Sequence, residues 1–448
     1  MEIQMEMKRI NYRRLFFLLL TTFFCFSSMA QSAWTLERCI AYALENSYTV
    51  KQKLVEKEQR RIQYQSSRMN ALPAVSLSAG QNFDFGRAAA ANAVIVDNTQ
   101  ATTSFGIGMN IPLFQGLQNY YTIASNRLDM QASVYDLEQA RENTELNVTA
   151  YFLQVLLSQE IHLIAEQQVE LSRSQLVRIE ELVQSGRYPQ SELYTIQANI
   201  ASDELHAVEA LNNYRLALLD LAQLMNIADI QNFDIVPSEA IDMDALIGRT
   251  VDLQSLVLHA LDNRPAMKVA ALQLQKGEKD IKVMQSQWYP TLSLSASYGT
   301  GYYHAFQQNI TNLPFDMQLK NNSREMISLS LNIPLFDRLS AYHNVKLSKV
   351  NLLYRQLDME EAKRKIEKEI YLAHTSAVAS QNKYEAALKS VSAAQLAFQY
   401  EEMKYKEGKS TGFSFNEAKI NYQKAQSEEV QAKYQYVLRM KILDFYGK

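Results

Sequence analysis

Histidine and cysteine are the side chains most able to bind metals or transfer protons at neutral pH, and here they are few and dispersed. The six histidines are His162, His206, His259, His304, His343 and His374. No two of them have the short spacing that a zinc site uses. The sequence also lacks a phosphate-binding P-loop, a dinucleotide fingerprint and a G-x-S-x-G turn. We therefore expect no catalytic activity, no metal site and no cofactor.

The composition indicates long helices. The 448 residues include only 13 glycines and 8 prolines, whereas ordinary usage of the two together is about 12%. The 47% hydrophobic content excludes global disorder. A net charge of -3 and a pI near 6.2 give no bulk attraction to nucleic acid, so no nucleic-acid partner is expected.

The first thirty residues have the pattern of a secretory signal peptide. Four basic residues precede the apolar run Leu15–Phe26, and the small residues Ser28 and Ala30 follow it. We predict cleavage after Ala30; the alternative is an N-terminal membrane anchor. The mature chain would keep one cysteine, Cys39, and could form no intramolecular disulfide.

An internal repeat organises the rest of the chain. LPAVSLSAG at Leu72–Gly80 recurs as YPTLSLSAS at Tyr289–Ser297, and NIPLF begins at both Asn110 and Asn332. The predicted organisation is a signal peptide at 1–30, a first structural repeat at 31–228, a linker at 229–250 and a second structural repeat at 251–448.

Four segments alternate between apolar and small polar residues with a period of two, which predicts strands at about 73–86, 102–113, 290–303 and 326–335. This alternation is typical of a transmembrane β-strand with lipid on one side and water on the other. A half-buried sheet of a soluble protein is the alternative, but four such strands in an exported chain favour the membrane. The predicted lumen-lining residues are Ser76, Ser78, Ser104, Gly106, Gly108, Asn110, Ser293, Ser295, Ser328, Ser330 and Asn332.

Four strands are too few to close a barrel, and open strand edges are not tolerated in lipid. The barrel must therefore be shared between chains. Two chains would supply eight strands and three would supply twelve; the small inward residues favour the wider barrel.

The remaining residues read as helices of two lengths. Long helices are predicted from Phe114 to Gly186 and from Asp337 to Glu407, with apolar residues every seven positions as in a coiled coil. Helices of about 35 residues are predicted at Leu36–Asn70, Pro189–Leu224, Leu253–Gln287 and Ser414–Tyr446. The predicted fold is mainly α with a small β portion. Each repeat would supply the order helix-strand-strand-helix-helix to a coiled-coil α-barrel and to a transmembrane β-barrel shared between protomers.

This duplicated order, the paired NIPLF segments and the ALEN and ALDN segments at Ala43–Asn46 and Ala260–Asn263 together resemble the TolC-like outer-membrane efflux proteins. The resemblance covers essentially the whole mature chain. It implies a homotrimer in the outer membrane of a Gram-negative bacterium, with a twelve-stranded barrel among the lipids and a tunnel extending into the periplasm. It also implies two partners, a periplasmic adaptor (membrane fusion protein) and an inner-membrane pump, in an efflux or type I secretion system.

The resemblance also implies functional positions near the turns that end the long helices. Gly186 with Arg187, and Gly408 with Lys409, would mark the tips at which the adaptor docks.

Some family members narrow the pore with carboxylates six and nine residues after the second glycine, where this chain has Ser414 and Glu417. Glu192, six residues after Gly186, is a further constriction candidate. The alternative for both glutamates is an ordinary solvated helix-start carboxylate.

Two other classes of function remain at this point. A soluble periplasmic coiled-coil adaptor or scaffold protein would explain the helices and the signal peptide but not the alternating strands. An exported enzyme on a helical scaffold would need a constellation of site residues that the sequence does not provide.

Overall fold

The computed structural model describes residues 34–89, 95–230, 233–236, 243–247, 249, 252–306 and 311–447. The predicted signal peptide and part of the predicted linker lie outside these residues. The chain divides into two compact units. Unit 1 contains the residues up to Ser47, Thr144–Arg249 and Ala379–Met440; unit 2 contains Tyr48–Asn143, Thr250–Val378 and the residues from Lys441 onward.

Unit 2 contains an antiparallel sheet that joins the two repeats. Its strands are β1 (Ala74–Asp84), β4 (Gln100–Gln115), β5 (Thr291–Ala305) and β6 (Arg324–Asn332), in the order β1-β4-β5-β6. A separate hairpin pairs β2 (Arg87–Ala89) with β3 (Ile95–Asp97). The central pairing of β4 with β5 connects the second strand of the first repeat to the first strand of the second repeat.

The two NIPLF segments differ in structure. In the first repeat, β4 continues to Gln115 through an irregularity between Pro112 and Phe114. In the second repeat, β6 ends at Asn332, so the predicted strand end near residue 335 is wrong. The reason is that β5 begins at Thr291, directly opposite Asn332, so the described part of the chain offers the following residues no strand to pair with.

Helices make up most of the rest of the described chain. The two long helices, α3 (Gln118–Gln184) and α9 (Ser340–Lys406), have 67 residues each, or about 100 Å at 1.5 Å per residue. The others are α1 (Leu36–Asn46), α2 (Tyr48–Met69), α4 (Gln190–Met225), α5 (Met243–Leu246), α6 (Leu253–Asn263), α7 (Pro265–Gln285), α8 (Phe315–Asn321) and α10 (Gly412–Gly447), with a 3₁₀ turn at Ser286–Trp288.

The prediction of one continuous helix at the start of each repeat is wrong. The first is interrupted at Ser47 (φ -58°, ψ 134°) and the second at Arg264 (φ -61°, ψ 133°). Pro265 explains the second break, because proline disfavours helical geometry in the residue before it. Ser47 has the same geometry without a proline, so the break is a shared property of the two repeats.

Most positions of the apolar seam predicted from the seven-residue spacing are buried, whereas His162, Leu176, Val183 and Val391 are only partly buried. In unit 1, Val148 and Val155 of α3 pack with Cys39 of α1, Leu221 of α4 and Val437 of α10 in one core. In α9 the buried seam positions are Ile370, Ala377, Tyr384, Phe398 and Tyr405.

Candidate functional site

The strand register places all eleven predicted lumen-lining residues on one face of the sheet. Ser76 lies opposite Gly108, and Ser295 lies opposite both Asn110 and Ser328. The remaining members follow the same two-residue alternation. The opposite face carries Val75, Leu77, Phe105, Ile107, Leu294, Ala296, Ile327, Leu329 and Leu331. The sheet therefore has one apolar face and one face of small polar residues, whose exposure to a lumen remains a prediction.

Glycines on the polar face allow groups of the neighbouring strand to approach the backbone closely. The hydroxyl of Ser78 donates to the carbonyl oxygen of Gly106 at 3.2 Å, and a Cβ at Gly106 would lie 3.3 Å from that hydroxyl. At Gly301 a Cβ would lie 2.9 Å from the carbonyl oxygen of Thr103, which is closer than real Cβ atoms come. At Gly301 this face therefore has no room for a larger side chain.

Among the residues that the structure describes, each outer strand of the sheet is unpaired along one edge. Every residue of β1 is exposed, and so are all but one of β6. Unpaired N–H and C=O groups cost several kcal/mol each in lipid, and in water they promote edge-to-edge association. The edges are therefore the positions at which another chain would add.

The part of β5 that extends beyond β6 is covered by amide side chains. Gln318 of α8 accepts from the backbone N–H of Tyr303 and donates to its carbonyl oxygen, both at 2.9 Å. Asn312 does the same for Ala305, at 2.8 and 2.9 Å. These amides satisfy the backbone where a neighbouring strand is missing. Sequence reasoning missed them, because a single Gln or Asn outside any repeating pattern gives no signal of its partner.

Unit 2 also exposes apolar seams on its helices. On α2, Tyr48, Val55, Ile62 and Met69 recur every seven residues, and each is more than half exposed. On α9 a second exposed set follows the same spacing, with Arg364 at one position between the apolar residues Val350, Leu357, Tyr371 and Val378. A seven-residue apolar repeat normally packs against another helix. Within the described chain these two seams face solvent.

The turns after both long helices have the same backbone structure. Gly186 has φ +72° and Gly408 has φ +74°. Arg187 N–H bonds the carbonyl oxygen of Leu182, and Gly186 N–H bonds that of Val183. The equivalent bonds join Lys409 to Lys404 and Gly408 to Tyr405. This is the Schellman motif that glycine favours at helix ends. Arg187 and Lys409 are exposed next to these glycines.

The three constriction candidates lie in different environments. Thr411 caps α10 by accepting from the N–H of Ser414 at 3.2 Å, and the two hydroxyls are 3.1 Å apart. Ser414 thus belongs to a helix cap. Glu417 is exposed on the next turn of α10.

Glu192 lines a small cavity of about 20 Å³ in unit 1, together with Gly412, Tyr405 and Lys419. A Cβ at Gly412 would lie 2.9 Å from the Oε2 atom of Glu192. Burial, together with the nearby Tyr188 and Glu192, raises the pKa of Tyr405 to about 12, so its hydroxyl stays protonated. Glu417 is not among the residues that line this cavity, so the two glutamates do not meet there.

A buried ion pair lies beside the same cavity. The ammonium group of Lys419 is 2.5 Å from both Asp203 Oδ2 and Ser172 Oγ, and Ser172 donates to Asp203 at 2.5 Å. The side chains of Lys419 and Asp203 are only 3% and 10% exposed. This network ties α3, α4 and α10 together, and no sequence pattern indicated it.

The described residues were also compared with the requirements of a metal site and of a membrane-spanning helix. No group of three or more His, Cys, Asp or Glu side chains among them could hold a metal ion. By length and composition, α3 alone among the described helices could cross a membrane; 44% of its 18-residue apolar window is buried inside the chain.

The fold and the two-faced sheet define a protein built from two helix-and-strand repeats. A family model described as "Outer membrane efflux protein" matches residues 39–226 and 256–444. The chain belongs to this outer membrane efflux protein family, because the match covers most of both repeats. Family membership places the protein in the outer membrane and assigns it the role of an efflux channel rather than that of a soluble adaptor.

Solved structures agree with this fold. A membrane protein from Pseudomonas aeruginosa aligns with a TM-score of 0.75 at 16% identity, covering 92% of this chain and 89% of that one. The outer membrane protein VceC from Vibrio cholerae aligns at 0.74 and 14%, covering 92% and 96%. The CmeC outer membrane channel from Campylobacter jejuni aligns at 0.71 and 19%, covering 92% and 85%. No curated protein matches the chain.

Proposed function

We propose that three copies of this chain join edge to edge into a twelve-stranded barrel and form a water-filled conduit. The conduit would pass substrates from an inner-membrane pump and a periplasmic adaptor to the exterior. The observation that carries the proposal is the four-stranded sheet with one apolar face, one small polar face and two unpaired edges. The transport energy comes from the pump, and the chain itself performs no catalysis.

The internal repeat supplies the pairing between copies. Because β4 pairs with β5, the second strand of one repeat lies beside the first strand of the other. The same rule, applied between chains, pairs β6 with β1 of the next copy. Within the chain, Ile107 of β4 lies opposite Tyr298 of β5. The equivalent residues in β6 and β1 are Leu329 and Gln81, so the same register places Leu329 opposite Gln81 of the next copy.

The exposed helical seams support the same assembly. Within unit 2, α3 contacts α7 through Ser125 and Asp280, which are 2.5 Å apart. The helix equivalent to α3 in the second repeat is α9, and the helix equivalent to α7 in the first repeat is α2. These two helices carry the exposed apolar seams. Packing α9 of one copy against α2 of the next would bury both seams.

Two measurements separate this proposal from the soluble alternative. Membrane fractionation should recover the native protein with the outer membrane, and its molar mass in detergent should be three times that of one chain. Recovery as a soluble periplasmic monomer would favour an adaptor or scaffold protein instead.

For the ends of the conduit, we propose that the turns at Gly186–Arg187 and Gly408–Lys409 dock the adaptor and that Glu417 narrows the pore. The exposure of Glu417 supports this choice, whereas Ser414 is engaged by Thr411. Glu417→Ala should raise single-channel conductance in planar bilayers, while Glu417→Asp, which keeps the charge, should stay closer to the native value. An unchanged conductance in the alanine variant would reject Glu417 as a constriction.

A further inference from the structure

Unit 2 contains a cavity where the sheet meets the helices. It has a volume of about 200 Å³ and is lined by Phe114, Gly116, Leu117, Tyr121, Lys282, Gln285 and Tyr289. Phe114 lies near the end of β4, Tyr121 is in the first turn of α3, and Lys282 and Gln285 are in the last turn of α7. The cavity therefore lies at the junction between the two-faced sheet and the helices.

The lining is suited to an amphipathic anion. Three aromatic rings and Leu117 provide apolar surface, while Lys282 provides a positive charge and Gln285 an amide. No carboxylate is among these lining residues. Phe114 pairs with Leu292, which lies on the apolar face of the sheet, so that face continues to the cavity. A ligand with a phosphate head and a hydrocarbon tail would meet a complementary group at each end.

Backbone geometry keeps the wall of the cavity compact. Gly116 and Leu117 both have left-handed φ values, of +60° and +65°. A Cβ at Gly116 would lie 2.5 Å from the carbonyl oxygen of Ser286 and 2.8 Å from Cβ of Tyr289. Only glycine can hold this turn against the residues that follow α7.

The other repeat carries a related set of residues at its own junction. Arg338 and Leu339 precede α9 with the same left-handed geometry, at φ +59° and +64°. The residues that correspond to Tyr121 and Gln285 are His343 and Arg68. Cationic side chains thus occur at this junction in both repeats, although at different positions. In a non-glycine residue this backbone geometry carries a conformational cost.

We infer that the cavity around Lys282 binds the phosphate headgroup of a membrane glycerophospholipid, with the acyl chains lying along the apolar face of the sheet. This inference rests on the proposed function, because it requires that face to contact lipid. The phosphate accepts a charge-assisted hydrogen bond from Lys282, and the aromatic rings contact the glycerol and the first methylene groups.

Trp288 provides a reporter for this site, because it immediately precedes Tyr289 of the lining and is half exposed. The other tryptophan, Trp34, lies in unit 1 between Tyr42 and Phe233 and supplies a constant background. We would titrate the detergent-solubilised protein with a brominated short-chain phosphatidylglycerol and record the quenching of Trp288. A Trp288→Phe sample gives the background to subtract.

Saturable quenching is expected in the native chain, and Lys282→Gln should raise the half-saturation concentration about tenfold, as loss of one charge-assisted bond would. The matched control is Lys279→Gln, one turn away on α7 and outside the lining, which should titrate like the native chain.

Three outcomes would overturn the inference. Lys282→Gln could titrate like the native chain, a brominated diacylglycerol without phosphate could quench at the same concentration, or millimolar inorganic phosphate could displace the lipid. The last would make the cavity a site for free phosphate rather than for lipid. Because the cavity lies within one chain, these results are independent of the conductance measurement that tests the proposed function.

Discussion

A disulfide between neighbouring copies would test both the assembly and its register. The proposed pairing of β6 with β1 of the next copy places Leu329 opposite Gln81, so both residues are replaced by cysteine. Directly opposed residues in antiparallel strands have Cα atoms about 4.5–5.5 Å apart, within the range of about 4.4–6.8 Å that disulfides span. We expect efficient oxidative cross-linking.

The control pairs Leu329→Cys with Phe83→Cys, two residues further along β1 on the same face. Two residues add about 6.8 Å along a strand, so the diagonal Cα separation would be about 8–9 Å, beyond the reach of a disulfide. An intrachain bond is also excluded. β1 and β6 are the outer strands of the sheet, and three spacings of about 4.8 Å separate them.

The assay is non-reducing gel electrophoresis of the oxidised protein. The Gln81→Cys, Leu329→Cys variant should give bands of two and three chains, with none larger, and reductant should abolish them. Native Cys39 does not interfere, because it is fully buried and burial raises the pKa of its thiol to about 12. Preferential cross-linking of the Phe83 pair would refute the register, and absence of any interchain product would refute the edge pairing.

Three further predictions concern the helices of unit 1 and the glycine turns. Lys419→Met should destabilise the protein by about 3 kcal/mol because Asp203 stays buried and unpaired, and adding Asp203→Leu should recover part of this loss. Arg173→Met, which breaks an exposed pair between α3 and α4, should cost less than about 1 kcal/mol in the same thermal unfolding assay; equal effects would contradict the role assigned to burial. Gly186→Ala and Gly408→Ala should each cost about 1–2 kcal/mol from backbone geometry alone, since nothing lies within 4 Å of a Cβ there, whereas Gly116→Ala should cost more because of the contact with Ser286. Cys39 should resist maleimide at pH 7 in the folded protein and react after denaturation; rapid labelling of the native state would show that the core of unit 1 opens.

Periodic features were predictable from the sequence. The two-residue alternation placed Ser76, Asn110 and Ser295 on one face before their pairing was known, because side-chain direction in a strand follows from position alone. The seven-residue spacing likewise identified Val148 and Val155 as buried. Both predictions depend only on local geometry repeated along one element.

Features that depend on contacts between distant segments were not predictable. Lys419 and Asp203 are 216 residues apart, and neither belongs to a pattern that reveals its partner. The end of β6 at Asn332 depends on where β5 begins, so an identical NIPLF segment has two structures. The break at Ser47 has no proline to indicate it, and the amide pairing of Gln318 with β5 depends on how α8 packs beside that strand.

Single-channel recording of the purified native protein in planar lipid bilayers tests the central claim most directly. Copies that share one barrel around a small polar lumen should produce discrete, stable conductance steps. A preparation that inserts into the bilayer as a stable single subunit and carries no ionic current would contradict the conduit.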